Sequence, residues 1–486
     1  MSDVPNQLIV KEIPPKAADL SAWYTAVCIK AQLTSYSPVR GCVVVRPYGF
    51  GMWENLQREL DLRFKATGHE NAYFPLLIPE SLLVKEAEHV EGFAPEVAWV
   101  THGGSEKLTE RLAIRPTSEA IIGVMYAQWI ESYRDLPILI NQWANVLRWE
   151  KATRPFLRTM EFLWQEGHTA HASAKEAREE TLRMLDVYRE FAENVTAVPA
   201  YAGIKSESER FPGAIETYSI EALMPDGKAL QSATSHDLGQ NFAKAYDIKF
   251  VDADGEIKYA HTTSWGMSWR MLGAMIMTHG DDRGLRIPPK MAPIEAVFVP
   301  IVKSGDDRAV AACKEAGKAL GDLGFRIRVD DRDQQPGWKY AEWDMRGVPV
   351  RVEIGPRDVE AQACVLVRRD RSKGDADHKT TVPLAQLSER LRALLVEIQA
   401  SLFQSAKAFL ESHTFDVRRR EEFYEKCSSR AGMIDIAWCG RAECEAHIKA
   451  QTGATTRNTR SLNAADTTCV ACGEPAKVRA YFAQSY

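Results

Sequence analysis

The segment VLRWEKATRPFLRTMEFLWQEGHTAH, residues 146–171, carries a dense set of reactive side chains. Two extended halves flank a Lys/Thr/Arg/Pro loop, which predicts a hairpin. Alternate residues of a strand share a face, so Arg158, Phe162, Trp164, Glu166 and His168 would project from one side. A strand burying that side in an apolar core would not set Arg, Glu and His beside two aromatics. Arg148 and Glu150, on the preceding half, add a second cation and anion. Arginines suit phosphates, a carboxylate suits an ammonium group, and flat rings suit a cation or heterocycle. The pattern describes a pocket for a small amino-acid-like cation beside a phosphate clamp.

Three further constellations are polar. IRPTSEA, residues 114–120, sets Thr117 and Glu119 two apart, a hydroxyl and a carboxylate able to bind an ammonium group. The same spacing at a helix start also serves as capping. QSATSHDLGQNF, residues 231–242, reads as a surface loop. SWGMSWRMLGAMIMTHGDDRGLRIPP, residues 264–289, has a glycine-containing entry, continues as an apolar helix carrying Arg270, and then runs into HGDDRG. An Arg in such a helix snorkels at an edge, or clamps a phosphate where an anion lies near. His168 and His171 mimic a metal-binding pair, but three steps along a strand reverse the face, so they share no metal.

In the tail, CGRAEC (Cys439, Cys444) and CVAC (Cys469, Cys472) are separated by 24 residues. Two such knuckles close a tetrahedron of thiolates, the signature of a structural Zn2+ with no position left for water. Four unconnected buried cysteines are the alternative. Cys427 falls outside the pattern and reads as a plain thiol.

Three composition regimes must position these groups. Residues 1–289 are rich in Trp, Arg and Gly and mix helical stretches (173–195) with short strands (42–47), a large α+β domain. RIPPKMAP, with three prolines, reads as a linker. Residues 294–383 alternate strand and helix: EAVFVPIV, a helix over 306–320, FRIRV, a helix over 338–346, then VPVRVEI and ACVLVRR. That predicts a small α/β domain with a largely parallel sheet. Residues 384–486 open on a long helix, with Leu387, Leu391, Leu394, Ile398, Leu402 and Phe409 near helical spacing, and lead into the cysteines.

A chain of 486 residues suits about three domains. Its net charge of -5, 45% hydrophobic and 26% charged residues exclude disordered and collagen-like classes. No long apolar run exists, and MSDVPNQLIVKEIPPK lacks the order of a secretory signal, so a cytoplasmic protein without a membrane partner is expected. Mild acidity excludes adhesion to nucleic acid by charge alone and leaves room for a local basic face.

Arg148-Trp149-Glu150 with Phe162, and Gly266 with Arg270, resemble motifs 2 and 3 of class II aminoacyl-tRNA synthetases, and VVVRPYGFGMWENL resembles motif 1. The longer strings IRPTSE, FLRTMEFLWQEGH, TSHDLGQNF, SWG and HGDDRGLRIPP resemble prolyl-tRNA synthetases of the archaeal/eukaryotic type over nearly the whole chain. The resemblance implies an α+β catalytic domain built on a six- to seven-stranded antiparallel sheet, an α/β anticodon-binding domain and a small zinc-binding C-terminal domain. It implies activation of L-proline with ATP and Mg2+ to prolyl-adenylate, transfer to tRNA(Pro), and a homodimer formed through motif 1. Both steps attack centres that are already electrophilic, so orientation and charge stabilisation suffice.

Carried over residue by residue, the resemblance gives Arg148 the α-phosphate and prolyl carboxylate, and Arg158 and Arg270 the outer phosphates. Phe162 and Arg270 would sandwich adenine, Gln231 would reach magnesium, and Glu150, Thr159, Thr234 and Ser268 would line the nucleotide. The implied proline pocket comprises Thr117, Glu119, Trp164, Glu166, His168, His236, Ser264, Trp265 and Gly266, with Phe93 nearby. Within it Glu119 and Glu166 pair the secondary ammonium while Trp164 and Phe93 wall the ring. Asp344, Arg351 and Arg357 would read anticodon guanines, the chemistry of Arg and carboxylate on base edges. Position 344 is Asp where relatives often carry Glu. The ending YFAQSY resembles one whose terminal tyrosine, here Tyr486, folds back toward the active site.

Two alternatives stand beside this reading. One is another class II enzyme of the threonyl type, which places zinc in the amino-acid site. The other is a non-catalytic RNA-binding paralogue, which the intact Arg148, Arg158 and Arg270 oppose. About a hundred residues between motifs 2 and 3 leave no room for the inserted editing domain of bacterial-type relatives.

Overall fold

The computed structural model describes residues 13–89, 97–150, 153–302, 306–464 and 466–486. Phe93 lies outside the described residues. The expected hairpin forms from Ile138–Leu147 and Glu161–His171, paired without interruption from Ile138↔Ala170 to Leu147↔Glu161. Arg158 precedes the second strand and sits in the connecting turn, so only Phe162, Trp164, Glu166 and His168 share the strand face.

Around this hairpin runs a seven-stranded sheet of the large N-terminal domain in the order Tyr201–Ile204, Glu216–Leu223, Ala229–Gly239, His261–Ser268, Glu161–His171, Ile138–Leu147 and Glu70–Asn71. All neighbours are antiparallel except the short Glu70–Asn71 edge strand, which runs parallel to its partner. The polar run expected as a surface loop is the central strand Ala229–Gly239. It is polar because one face lines a cleft and the other meets a helix backbone, where Ser235 Oγ donates to Thr181 O at 2.7 Å.

Helix Ala174–Asn194 backs the sheet and starts on a reciprocal cap between Ser173 and Glu176. Its Met184, Tyr188 and Phe191 join Trp265 and the motif 1 helix residue Phe64 in the main core. Trp265 explains Gly167 on the neighbouring strand, since a Cβ there would come within 2.1 Å of the indole.

Four tail strands extend the same sheet. Thr455–Arg460 pairs with the edge strand Tyr201–Ile204 and is followed by Val478–Ala483, Met433–Trp438 and Thr414–Asp416, giving eleven strands in all. The tail, expected as a separate module, covers the edge that the seven-stranded sheet would otherwise leave unpaired.

Between them lies a five-stranded sheet in the order Ile327–Val329, Ala296–Pro300, Val350–Ile354, Ala363–Arg368 and Lys379–Pro383. Its first three strands are parallel and its last two antiparallel, not largely parallel as expected. Residues 355–362 hold only the short helix Pro356–Glu360, too little chain for a crossover. The predicted helices appear as Arg308–Asp322, Pro336–Met345 and Leu387–Ser412.

The expected linker is fastened rather than free. Leu285 N donates to Met345 O and Ile287 N to Gly347 O. Gly284, at φ +121°, lies so close to Met345 that a Cβ would stand 2.5 Å from its Cα. Asp281 of HGDDRG is paired with Arg286 and Arg369. Among the described residues, no helix is long and apolar enough to cross a membrane.

Candidate active site

A cleft of about 340 Å³ opens on the sheet face opposite helix Ala174–Asn194. One end is built around Glu166, which is 2% exposed. Its Oε1 accepts from Ser118 Oγ at 2.5 Å and Gln142 Nε2 at 3.0 Å; its Oε2 accepts from Ser118 N at 3.1 Å and meets His168 Nε2 at 3.0 Å. Burial alone would push the Glu166 carboxyl up, but the His168, Ser118 and Gln142 bonds hold it below the ordinary carboxylate range. Burial likewise works against a charged His168, and the Glu166 and Glu119 carboxylates outweigh it and raise that imidazole. Glu119 opens helix Glu119–Trp129 and accepts a short bond from Thr117 Oγ1. Glu119, Glu166 and His168 present ligand atoms within 4.8 Å of one another, so two carboxylates converge where a cation would sit.

His236 completes this end. Burial first, then the charges of His168 and Lys205, push it down to about 3, so it is neutral at physiological pH. Its Nδ1 shares a 3.0 Å bond with Thr217 Oγ1, and the Phe211 ring lies over it at 4.6 Å.

The other end is cationic. Arg148 donates from Nε to Pro116 O at 3.0 Å, and its guanidinium lies 5.4 Å from the ring centroids of both Phe162 and Trp164. Arg270, the first residue of helix Arg270–His279, donates from Nε to Leu157 O at 3.0 Å. Among the described residues neither Arg148 nor Arg270 has an ion-pair partner, and both face the cleft with Gln231, Thr234 and Ser268. Arg158 is exposed and held by Glu150 at 2.8 Å. With Thr159 these two line a side recess shared with Arg148, Phe162 and Arg270. Unpaired cations beside converging carboxylates match a zwitterion placed next to a polyphosphate.

Comparison with known proteins bears directly on this geometry. Residues 99–279 match the tRNA synthetase class II core domain (G, H, P, S and T), 295–394 the anticodon binding domain, and 420–486 the prolyl-tRNA synthetase C-terminal domain. The proline–tRNA ligase of Symbiobacterium thermophilum is 54% identical over 98% of this chain and 99% of its own length. This chain belongs to the prolyl-tRNA synthetase family. The proline–tRNA ligase of Natranaerobius thermophilus is 52% identical over 99% of each chain. The crystal structure of prolyl-tRNA synthetase from Cryptosporidium parvum complexed with halofuginone and AMPPNP is similar at TM-score 0.93 and 39% identity, covering 98% of this chain and 99% of that one.

Of the residues expected to serve a prolyl-tRNA synthetase, Trp265 lines the cleft between Ser264 and Gly266 with its side chain turned away. Strand alternation keeps Ser264 and Gly266 on the cleft face and turns the indole into the core, 5.0 Å from the rings of Phe64 and His69. Asp344 and Arg351 meet in the middle domain at 2.9 Å, where Arg351 also pairs with Glu353 and lies 4.1 Å over Tyr340. Asp344 is shared with Arg283 of HGDDRG at 3.2 Å. Arg357 stands exposed at the start of helix Pro356–Glu360. Cys439, Cys444, Cys469 and Cys472 bring four sulfurs within 4.8 Å, and Cys427 is buried outside that group. His171 lies on the strand face opposite His168, bonded to Thr169 Oγ1 at 2.7 Å. Tyr486 docks on the catalytic domain, its N donating to Ala229 O and its hydroxyl to Asp226 at 2.9 Å.

Sequence reasoning missed four supports. Ser118 stands between two predicted residues and looked like a spacer. Gln142 faces Glu166 only through the hairpin register, Gln142↔Glu166. Thr217 and Phe211, which hold His236, lie in a stretch without a motif.

Proposed function

We propose how the cleft performs proline–tRNA ligation, the activity of this chain: L-proline and ATP react to prolyl-adenylate and pyrophosphate, and prolyl passes to tRNA(Pro). The observation that carries the assignment of ends is Glu166, a buried carboxylate kept ionised at one end of a cleft whose other end holds two arginines without ion-pair partners among the described residues. Glu166 and Glu119 receive the secondary ammonium, and Trp164 walls the ring. Arg148 spans the prolyl carboxylate and the α-phosphate, holding the two reactants at attack distance and neutralising charge that builds on the phosphate. Phe162 and Arg270 take the adenine between them. Arg158 leaves Glu150 to meet the outer phosphates, an exchange that its exposure permits.

Gln231 would hold magnesium. A single amide oxygen suits an ion that keeps waters and phosphate oxygens as its other ligands, and the ion would supply charge neutralisation on the polyphosphate. Cys439, Cys444, Cys469 and Cys472 would hold one zinc as a structural ion; four converging thiols in the tail fit that role. Asp344, Arg351 and Arg357 form the anticodon-reading face of the middle domain.

The domain limits 1–289, 294–383 and 384–486 and the archaeal/eukaryotic type of arrangement belong to the same reading. Full-length similarity to the Cryptosporidium parvum enzyme supports that type as an architecture, which the bacterial relatives share. Tyr36, Val39, Val44 and Phe50 around motif 1 expose apolar surface, which supports a homodimer through that segment in the cytoplasm.

The test is charging of tRNA(Pro) by purified protein with labelled proline, ATP and magnesium. Acid-stable prolyl-tRNA is the expected product. Charging of another amino acid in place of proline would overturn the reading.

A further inference from the structure

We propose that Arg457, a tail residue, is a positioning residue for proline binding, acting through Glu209 on the wall of the cleft. This rests on the reading of the cleft as the proline site.

Arg457 lies on Thr455–Arg460, the tail strand that caps the catalytic sheet, and is 4% exposed. Its Nε donates to Thr456 O at 3.1 Å and its Nη2 to Thr455 Oγ1 at 2.9 Å, which lock the guanidinium to its own strand. From there it crosses into the catalytic domain. Nη2 donates to Glu209 Oε2 at 3.2 Å, and Nη1 stands 3.7 Å from Glu221 Oε2. Glu221 is fully buried, accepts from Lys205 Nζ at 2.7 Å, and sits across from Gln231 in the sheet register. Two cations and two carboxylates thus balance one another, and each domain supplies part of the set. Asn458 reinforces the seam by donating to Tyr201 O at 2.7 Å and accepting from Ser219 Oγ at 2.9 Å.

Glu209 ends the turn Glu207–Glu209 and begins a wall of the cleft that continues through Arg210, Phe211 and Pro212. Phe211 is the part that reaches the amino-acid end. Its ring covers His236, and its N–H donates at 3.0 Å to Thr217 Oγ1, the same hydroxyl that bonds His236. The wall is otherwise a loop whose partly exposed carboxylate has no other ion-pair partner among the described residues. Without Arg457 the wall loses its tie to the tail strand at Glu209; Arg210 Nη1 on Ile215 O and Phe211 N on Thr217 Oγ1 still hold its far end, so the Phe211 ring sits less firmly over His236. Substrate binding should then weaken while the chemistry at Arg148 and Arg270 continues.

The experiment is proline-dependent pyrophosphate exchange by the full chain carrying R457Q, R457K, E209A, and E209A with R457Q. We expect R457Q to raise KM for proline about tenfold with kcat within about twofold. R457K should recover part of that loss, and the double variant should be no worse than the poorer single one, as coupled partners require. R460Q on the same strand, which breaks an Asp435 pair and a cation–π contact with Tyr481 and leaves Glu209 and Glu221 untouched, controls for disturbance of the tail. An unchanged KM for proline, a fall in kcat alone, or multiplying effects of E209A and R457Q would overturn the inference. If R457Q does not fold, E209A decides from the catalytic side, because a normal KM there also overturns it. Absence of proline-stimulated exchange in the unaltered chain would sink the site reading itself, and is thereby distinguished.

Discussion

Arg148 lines the cleft between its acidic and its cationic end, where the proposed reading brings the two substrates together, and its replacement isolates one charge from the rest of the cleft. It packs against Phe162 and Trp164 and forms no ion pair among the described residues, so Arg148→Ala should leave the fold intact. Loss of a cation at the attacked phosphate should cost ~3–4 kcal/mol of transition-state stabilisation, on the scale of a lost oxyanion donor. Pyrophosphate exchange should therefore nearly vanish while the melting temperature holds. Retention of more than about a tenth of the activity, under ~1.4 kcal/mol, would contradict the role. Most of this site was legible because Phe162, Trp164, Glu166 and His168 obey the period of two on one strand. Ser118 and Gln142 were not, since their value lies in a register that only the folded hairpin sets. The Trp265 side chain points away from the cleft that its neighbours face because it is one step out of phase with them on the strand.

At the scale of elements, helix Arg270–His279 carries a cleft-lining arginine at its start and a buried histidine at its end. His279 meets Thr196 O at 2.9 Å and is pushed down to about 4, mainly by burial and further by the charges of Lys16 and Arg286. Between pH 4 and the ordinary 6.5 the unfolded chain takes up a proton that the folded chain refuses. Stability is full above pH 6.5 and falls on acidification, with a limiting slope of about 1.4 kcal/mol per pH unit for one such group. His279→Gln should flatten the fall in denaturation midpoint between pH 6.5 and 5 relative to the unaltered chain; an identical slope would exclude His279 as a contributor. His171 and His236, also depressed, add to the acid sensitivity in the same direction.

The tail strands make a second test at this scale. If the four cysteines hold zinc, metal analysis should find about one ion per chain, and Cys469→Ser should release it with loss of hydrogen-exchange protection in residues 433–483. A metal-free but fully protected tail would leave four buried thiols as the account. Strands were harder to read than helices here. The central strand Ala229–Gly239 lacks the apolar alternation that marks a strand, because a substrate cleft replaces the core on one face. Conversely, ACVLVRR looked parallel to VPVRVEI and is antiparallel to it, since composition does not report connection length.

For the whole molecule, three chain segments meet around HGDDRG, and the tail closes the catalytic sheet edge. Continuity of that sheet could not be read in advance, because among the described residues the two edge strands share a single β-pair, Thr459↔Ile204, and neither strand carries a motif. The division of labour between domains nevertheless has a sharp consequence. Arg357 is exposed and far along the chain from the cleft, so Arg357→Ala should lower aminoacylation of tRNA(Pro) and spare pyrophosphate exchange. Equal loss in both assays would remove it from the anticodon face.

The central claim, that Glu119 and Glu166 beside Arg148 select proline for activation by ATP, is tested most directly by pyrophosphate exchange with each of the twenty amino acids in turn. Proline should stimulate exchange far above every other amino acid, and Glu166→Gln should raise the proline concentration needed without altering that of ATP. Exchange driven by threonine and not by proline, or by none of the twenty in a folded protein, would contradict the account.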